Sequence, residues 1–291
     1  MMEAEEDLEI LAAIQYYEGI VKSKLLYNCE TWINLTKTNI DDLEKIQNNS
    51  LKRLLRIPFS TPSMGLIYEL NLPTIKASIN QRKIMYFHRL LNSEKSLAST
   101  ILKQQKSIQS NHFLNEIKQL LQYYNIDYSI EQIQEMSKER WKKIVQKNIN
   151  ETDTMEIREA CKTSSKCKNL PNTDDNRKYI ETLESTDAKT ILIEKLNMTD
   201  VKINYKGSYT TYECRVCKKA EENTSHLINC LDLGAIDDNI NNIHLTLKEN
   251  CVAMLPEKLK SLAQFIRLKL SNRDKLMSNT ASVTSIDEDN Q

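Results

Sequence analysis

Three cysteines and one histidine lie within one short stretch near the C-terminal end of the sequence. Cys214 and Cys217 are separated by two residues, and His226 and Cys230 follow at a helical spacing of four. Two thiolates in a tight turn can bind one ion, and residues four apart lie on the same face of a helix. The four side chains therefore predict one zinc knuckle within residues 201–235. No coordination position remains for a water molecule, so we expect a structural site.

This segment is too polar to fold by burial of apolar side chains alone. Its aliphatic cluster consists of Leu227, Ile228 and Leu231, and Thr224 or Ser225 is expected to cap the helix that carries the histidine. Structural zinc contributes about 10–16 kcal/mol in apparent terms. We therefore expect one bound Zn²⁺ to stabilise the segment. A chance grouping of cysteine and histidine residues is the alternative.

The composition favours helices. The 291 residues include 4 Gly and 5 Pro, so few tight turns are available. We expect a mostly α fold, a helical bundle or array with a small Cys-Cys-His-Cys zinc knuckle near the C-terminus and a disordered tail. Lys plus Arg and Asp plus Glu both number 40, so the net charge of zero gives no argument about a nucleic-acid partner.

Cysteine usage and hydropathy indicate the compartment. The cysteine count of 7 is odd, and the acidic N-terminus contains no apolar signal segment, which together predict a reducing, intracellular location in the nucleus or cytoplasm. No apolar run reaches the length of a membrane span, so we expect no membrane partner.

Apolar spacing, Pro and Asp positions divide the sequence into six segments. We expect a helix and turn over 1–35, a basic helical region over 36–110, a helical linker over 111–200, the knuckle over 201–235, closing helices over 236–270 and the tail over 271–291. The periodicity also predicts helices at 112–124, 130–149 with Ser129 as N-cap, 175–197 and 257–270.

One segment has a strongly uneven charge. Between Lys45 and Lys106 there are eleven Lys or Arg residues and two Glu residues, with aromatic side chains interleaved. A local excess of this size suits a phosphate backbone, although a solvated helix face is the alternative. The pattern predicts contacts with RNA or DNA from Lys52, Arg53, Arg56, Arg82, Lys83 and Arg89.

Four blocks of sequence follow one another in a distinctive order. They are LLYNCETW at 25–32, SLKRLLRIPFSTP at 50–62, YELNLPTIKASINQRKIMYFHRLLN at 68–92 and ILIEKLNMTDVKINYKG from residue 191, directly before the knuckle. This arrangement resembles the region that follows the palm domain in reverse transcriptases of non-LTR (LINE-like) retrotransposons, over about half of the chain. The resemblance implies that 1–35 corresponds to the end of the palm, that 36–110 forms thumb-like helices, and that the partner is RNA or DNA.

The sequence departs from that family in two ways. Asn28 stands where the family has Gly, and Asn is the next most tolerant residue of a left-handed turn. The family's metal-binding aromatic-x-Asp-Asp turn is missing, because the Asp pairs at 41–42, 174–175 and 237–238 lack the aromatic residue. We therefore expect no catalytic residues and no enzyme activity from this chain.

The sequence supports two hypotheses. The first is a fragment derived from a reverse transcriptase, which binds one structural Zn²⁺ and RNA or DNA and has no small-molecule substrate. The alternative is a helical protein-interaction scaffold with a structural zinc knuckle, whose basic segment packs against other protein.

Overall fold

The structure is a computed structural model that describes residues 9–93, 97–105, 112–164, 167, 178–205, 208–248 and 255–287. Its α-helices, in chain order, are α1 (Ile10–Tyr16), α2 (Ser23–Leu25), α3 (Lys37–Leu54), α4 (Ser63–Glu69), α5 (Ile75–Leu91), α6 (Leu97–Gln105), α7 (His112–Tyr123), α8 (Ile130–Glu135), α9 (Lys138–Thr163), α10 (Lys178–Thr182), α11 (Ser185–Lys195), α12 (Thr224–Asn229), α13 (Asp238–Lys248) and α14 (Pro256–Asp287).

Shorter elements complete the helical architecture. A π-helical stretch, Tyr17–Lys22, joins α1 to α2, and 3₁₀ turns occupy Cys29–Thr31, Lys202–Tyr205 and Leu231–Leu233. Among the described residues there is no strand, and one isolated antiparallel bridge joins Glu213 to Glu221. The predicted mostly α fold is confirmed.

The described residues belong to two compact units. The knuckle unit lies within Met1–Ile14, Lys52–Glu69 and Cys161–Gln291, and the central unit lies within Gln15–Leu51 and Leu70–Ala160. Neither unit is continuous in sequence, whereas the six predicted segments are.

The core of the central unit forms where α5, α7 and α9 pack together. The Trp141 side chain is fully buried, in contact with the cluster to which Val145 and Phe87 belong. The carboxylate of Asp153 on α9 accepts hydrogen bonds from the backbone N and the Oγ1 of Thr74, the N-cap of α5, at 3.0 and 2.6 Å. These contacts fix α9 to the start of α5.

The helix predicted at 130–149 is two helices. Ser129 caps α8 in a capping box with Gln132, as expected, but the backbone turns extended at Met136. The Ser137 Oγ then accepts a hydrogen bond from the backbone N of Arg140 at 3.3 Å and begins α9. This second cap was missed because the apolar spacing continues across the break.

Two boundaries in the knuckle unit also differ from prediction. The helix expected at 175–197 is divided into α10 and α11, because Glu184 is extended; residues 175–177 lie outside the described residues. Helix α14 continues through Ser271, where the tail was expected to begin, as far as Asp287, and Arg273 is 3 % exposed. Residues 288–291 of the predicted tail lie outside the described residues. The buried Arg273 forms ion pairs with Asp200 and Glu222, which the polar composition of this stretch did not reveal.

None of the described helices is both long enough and apolar enough to cross a bilayer.

Candidate metal centre

A tight turn positions the first two cysteines. The backbone N of Cys214 donates to the carbonyl of Ala220 at 2.8 Å, and the backbone N of Lys218 donates to the carbonyl of Cys214 at 3.2 Å. Lys218 has a left-handed backbone, with φ of 58°. The chain therefore reverses direction between the two bonded ends and brings Cys217 close to Cys214.

A short helix positions the other two ligands. The side chain of Asn223 accepts a hydrogen bond from the backbone N of His226 at 2.7 Å, so Asn223 is the N-cap of α12 and the expected caps Thr224 and Ser225 are not. Cys230 follows the last helical residue as the C-cap. The histidine and the third cysteine thus lie one turn apart, as their spacing predicted.

The structure brings the four predicted ligands together. One ligand atom from each of Cys214, Cys217, His226 and Cys230 lies within 4.8 Å of all the others, and the Cys217 Sγ is 3.2 Å from the His226 Nε2. Tetrahedral coordination at about 2.3 Å for sulfur and about 2.0 Å for nitrogen places ligand atoms about 3.5–3.8 Å apart. This group can therefore hold a metal ion.

The thiols of this group interact electrostatically. Burial and the neighbouring Cys214 raise the pKa of Cys230 to about 12. Burial also tends to raise the pKa of Cys217, but the backbone N–H of Lys219 and the thiols around it outweigh burial and lower that pKa. A bound divalent cation would remove the mutual repulsion of the thiolates and favour their deprotonated forms.

The long helix α14 is fixed to the knuckle by two buried cations. The ammonium of Lys269 donates to the carbonyl oxygens of Cys230 and Gly234, at 3.2 and 2.9 Å. The guanidinium of Arg273 contacts the Asp200 carboxylate at 2.7 Å and the Glu222 carboxylate at 3.5 Å. Helix α14 therefore contacts a residue that precedes the ligand Cys214 in sequence as well as residues at and after the ligand Cys230.

Two other polar groups join the turn and α12 to their surroundings. Arg215, between the first two cysteines, donates from Nε to Glu222 at 2.8 Å. The buried Glu194 of α11 accepts from Thr224 Oγ1 at 3.1 Å and lies 3.0 Å from the Nε2 of His244. Sequence reasoning missed these positioning residues, because several partners lie 30 to 73 residues apart and leave no local pattern.

The predicted nucleic-acid contacts divide into exposed and buried side chains. Arg53 and Arg56 of the knuckle unit are exposed, while Arg82, half-buried, and Arg89, exposed, line a cleft in the central unit. Lys52 and Lys83 are buried instead, so the structure does not present them to a phosphate.

Each buried lysine has internal partners. The ammonium of Lys52 donates to the carbonyl of Phe59 at 2.9 Å and to the Oγ of Ser63 at 3.1 Å, and burial lowers its pKa. Lys83, 1 % exposed, forms an ion pair with Glu116. Both were expected at the surface because residue type and helical spacing do not show burial: Lys52 is satisfied by the loop that follows α3 and the start of α4, and Lys83 by Glu116, 33 residues away.

In comparisons with known proteins, no family model matches the chain, and no curated protein or solved structure matches it at a significant level.

Proposed function

We propose that this chain is a nucleic-acid-binding protein with one structural zinc ion, related to the region after the palm of a non-LTR retrotransposon reverse transcriptase. The observation that carries the proposal is the convergence of Cys214, Cys217, His226 and Cys230. Three thiolates and one imidazole in a closed set are typical of structural zinc, since softer sulfur ligands and tetrahedral geometry suit this ion. Catalysis is not part of the proposal, because the aromatic-x-Asp-Asp motif is missing from the sequence.

The proposed contact with a nucleic-acid strand lies at the C-terminal end of α3 and in the loop that follows it. The Arg53 guanidinium lies over the Phe59 ring at 5.7 Å, and Phe59 is 57 % exposed. Arg56 is exposed nearby in sequence. Proteins that bind single strands combine cations for phosphates with aromatic faces for bases, which supports a role for this surface in binding single-stranded RNA or DNA.

The metal is tested by elemental analysis of the purified protein. We expect one zinc per chain, and loss of that zinc in Cys217→Ser because three ligands remain. Cys29→Ser is the matched control, since it removes a buried thiol outside the cluster and should retain zinc. Purified protein without stoichiometric zinc, or zinc kept by Cys217→Ser, contradicts the proposal.

The nucleic acid is tested by the salt dependence of affinity for single-stranded RNA, followed by fluorescence anisotropy. Each phosphate neutralised contributes about 0.7 to the slope of log affinity against log salt for single strands. Replacing Arg53 and Arg56 by Gln should therefore lower the slope by up to about 1.4. Lys24→Gln with Lys37→Gln removes the same charge from exposed positions outside the predicted set and should leave the slope unchanged.

The salt dependence of affinity also distinguishes nucleic-acid binding from the helical-scaffold hypothesis. If the wild-type protein does not bind RNA or DNA at low salt, or if the Arg53 and Arg56 double variant keeps its slope, the strand-binding proposal is wrong. The helical-scaffold hypothesis then replaces it.

A further inference from the structure

A cleft of about 650 Å³ opens on the central unit, between the turn at Cys29–Thr31, the C-terminal half of α5 and the start of α9. The charged and aromatic residues that line it include Glu30, Arg82, Tyr86, His88, Arg89 and Lys138. Its volume lies within the range of pockets that hold small organic ligands. Nothing in the sequence indicates this cleft, because the three segments that form it are far apart in the chain.

The cleft has an excess of positive charge. Arg82, Arg89 and Lys138 line it, against the one carboxylate of Glu30, which is 4.0 Å from the Arg89 guanidinium. Lys138 is exposed, and no ion pair to it occurs among the described residues. Two positive charges therefore remain uncompensated, which suits a dianionic group such as a phosphate monoester.

The cations are held in defined positions. Arg82 donates from one terminal nitrogen to the carbonyl of Leu26 at 2.8 Å and also forms a hydrogen bond with the Cys29 thiol, so its guanidinium is fixed. A guanidinium has five N–H donors, so these two contacts leave donors for a ligand. The Arg89 guanidinium lies over the Tyr86 ring at 4.8 Å. Positions held in advance reduce the entropy lost when a ligand binds.

The same arrangement offers a flat surface. The Arg89 guanidinium lies over the Tyr86 ring and its side chain is 68 % exposed, so this planar group can also contact a planar ligand. A phosphate alone is much smaller than this cleft, so the ligand must also contain an organic body. A planar ring beside a phosphate monoester satisfies both requirements.

His88 also lines the cleft, and its side chain is held in place by its neighbours. It is buried, its Nε2 lies 3.0 Å from the carbonyl of Met136, and its ring stacks on Trp141 with a centroid distance of 6.1 Å. Nε2 donates to this carbonyl when it carries the ring proton, and the Asn92 Nδ2 lies 3.3 Å from the same nitrogen. The contact with the carbonyl joins α5 to Met136, which lies between α8 and α9, and keeps the two sides of the cleft together.

We propose that this cleft binds a nucleoside monophosphate unit, with the phosphate held by Arg82, Arg89 and Lys138 and the base stacked on the Arg89 guanidinium. The unit is either a free nucleotide or the 5′-phosphorylated end of a strand. The site involves none of the zinc ligands and neither Arg53 nor Arg56.

Binding of fluorescent AMP to the full-length protein tests the site. We expect saturable binding of AMP, weaker binding of inorganic phosphate and of adenosine, and a loss of about tenfold or more in Arg89→Gln and in Lys138→Gln, since each loses a bond to a charged group. Arg89→Lys keeps the charge but loses the flat surface, and should lose less affinity than Arg89→Gln. Lys142→Gln, an exposed change on α9 outside the cleft, should bind as the wild type.

Competition distinguishes the two sources of the ligand. Displacement of AMP by a 5′-phosphorylated hexanucleotide but not by its 5′-hydroxyl form assigns a strand end, and displacement by neither assigns a free nucleotide. Displacement by both equally overturns the monoester proposal. No AMP binding, equal affinity for adenosine and AMP, or unchanged affinity in both Gln variants of a protein with wild-type thermal stability also overturns it.

This outcome is separable from that of the strand-binding proposal. The Arg53 and Arg56 double variant should keep wild-type affinity for AMP, because neither residue lines the cleft. A protein that binds AMP without the salt-dependent RNA affinity supports the cleft alone.

Discussion

Most of the described non-glycine residues with a left-handed backbone are asparagines. Described non-glycine residues with positive φ include five asparagines: Asn28, Asn34, Asn71, Asn125 and Asn197. Asparagine is more tolerant of this conformation than other residues with a side chain, and the sequence has only 4 Gly. The left-handed turn expected at Asn28 is confirmed by its φ of 55° and ψ of 23°.

Substitution of Asn28 should show the cost of that conformation. Asn28→Val should lower the free energy of unfolding by about 1–2 kcal/mol, because a β-branched residue is strained at positive φ, whereas Asn28→Gly should be nearly neutral. Asn49→Val, at an exposed position within α3, is the control, since Asn and Val have similar helix propensities. Chemical denaturation measures all three, and equal losses at the two positions would show that the turn is not strained.

Lys83 is a structural residue, in contrast to its predicted role. Its ion pair with Glu116 joins α5 to α7, and the Glu116 side chain is 24 % exposed. Breaking a buried pair by removing one partner costs about 3–5 kcal/mol, and partial exposure of the acid favours the lower value.

We therefore expect Lys83→Gln to reduce the free energy of unfolding by about 3 kcal/mol and to leave the salt slope of RNA binding unchanged. Lys118→Gln, an exposed change on α7, should alter stability by less than about 0.5 kcal/mol. Denaturant unfolding and the anisotropy titration are measured on the same preparations. A lower slope without a stability loss would return Lys83 to the nucleic-acid contacts.

Helix α14 contacts the metal centre although it carries none of the four ligands. Lys269 and Arg273 are one helical turn apart and therefore lie on the same face, from which they reach the carbonyl of Cys230 and the carboxylates of Asp200 and Glu222. Both cations are buried, so their bonds hold the knuckle more firmly than surface ion pairs would.

Loss of the Arg273 contacts should weaken the binding of the metal ion. Arg273→Ala should lower the free energy of unfolding by about 1.5–3 kcal/mol, because its buried hydrogen bonds to charged groups are lost while Glu222 keeps its contact with Arg215. The same change should accelerate zinc release to a chromophoric chelator. Lys275→Ala changes an exposed residue of the same helix and should do neither. If zinc leaves both variants at the same rate, α14 does not stabilise the metal centre.

At the scale of the whole molecule, the metal cluster and the apolar cluster around Trp141 belong to different units. The four ligands lie in the knuckle unit, and the cluster around Trp141 lies in the central unit. A unit with its own apolar core can remain folded when a metal is removed elsewhere.

Removal of zinc should therefore affect the units differently. In Cys217→Ser, or after chelation, amide hydrogen exchange should increase in α12, α13 and the part of α14 around Arg273, while α5 and α9 within the central unit keep their protection. The increase includes α14 because its buried cations bind knuckle carbonyls and carboxylates. Equal loss of protection throughout both units would show that they unfold together.

The sequence by itself determined the features whose causes are local. The ligands Cys214, Cys217, His226 and Cys230 could be predicted because a turn and one helical turn place them together whatever the rest of the chain does. The cap at Ser129 and the left-handed turn at Asn28 follow from the same short range, since each depends on the residue and its immediate neighbours.

Only the tertiary structure decided which charged side chains are buried and where helices continue through polar sequence. Lys83 and Arg273 are residue types usually found on the surface, yet both are buried and pair with Glu116 and Asp200, which lie 33 and 73 residues away in sequence. The same pairing extends α14 beyond the predicted start of the tail at Ser271. The free energy of a buried charge depends on its partner, and the distance to a partner so remote in sequence exists only in the folded chain.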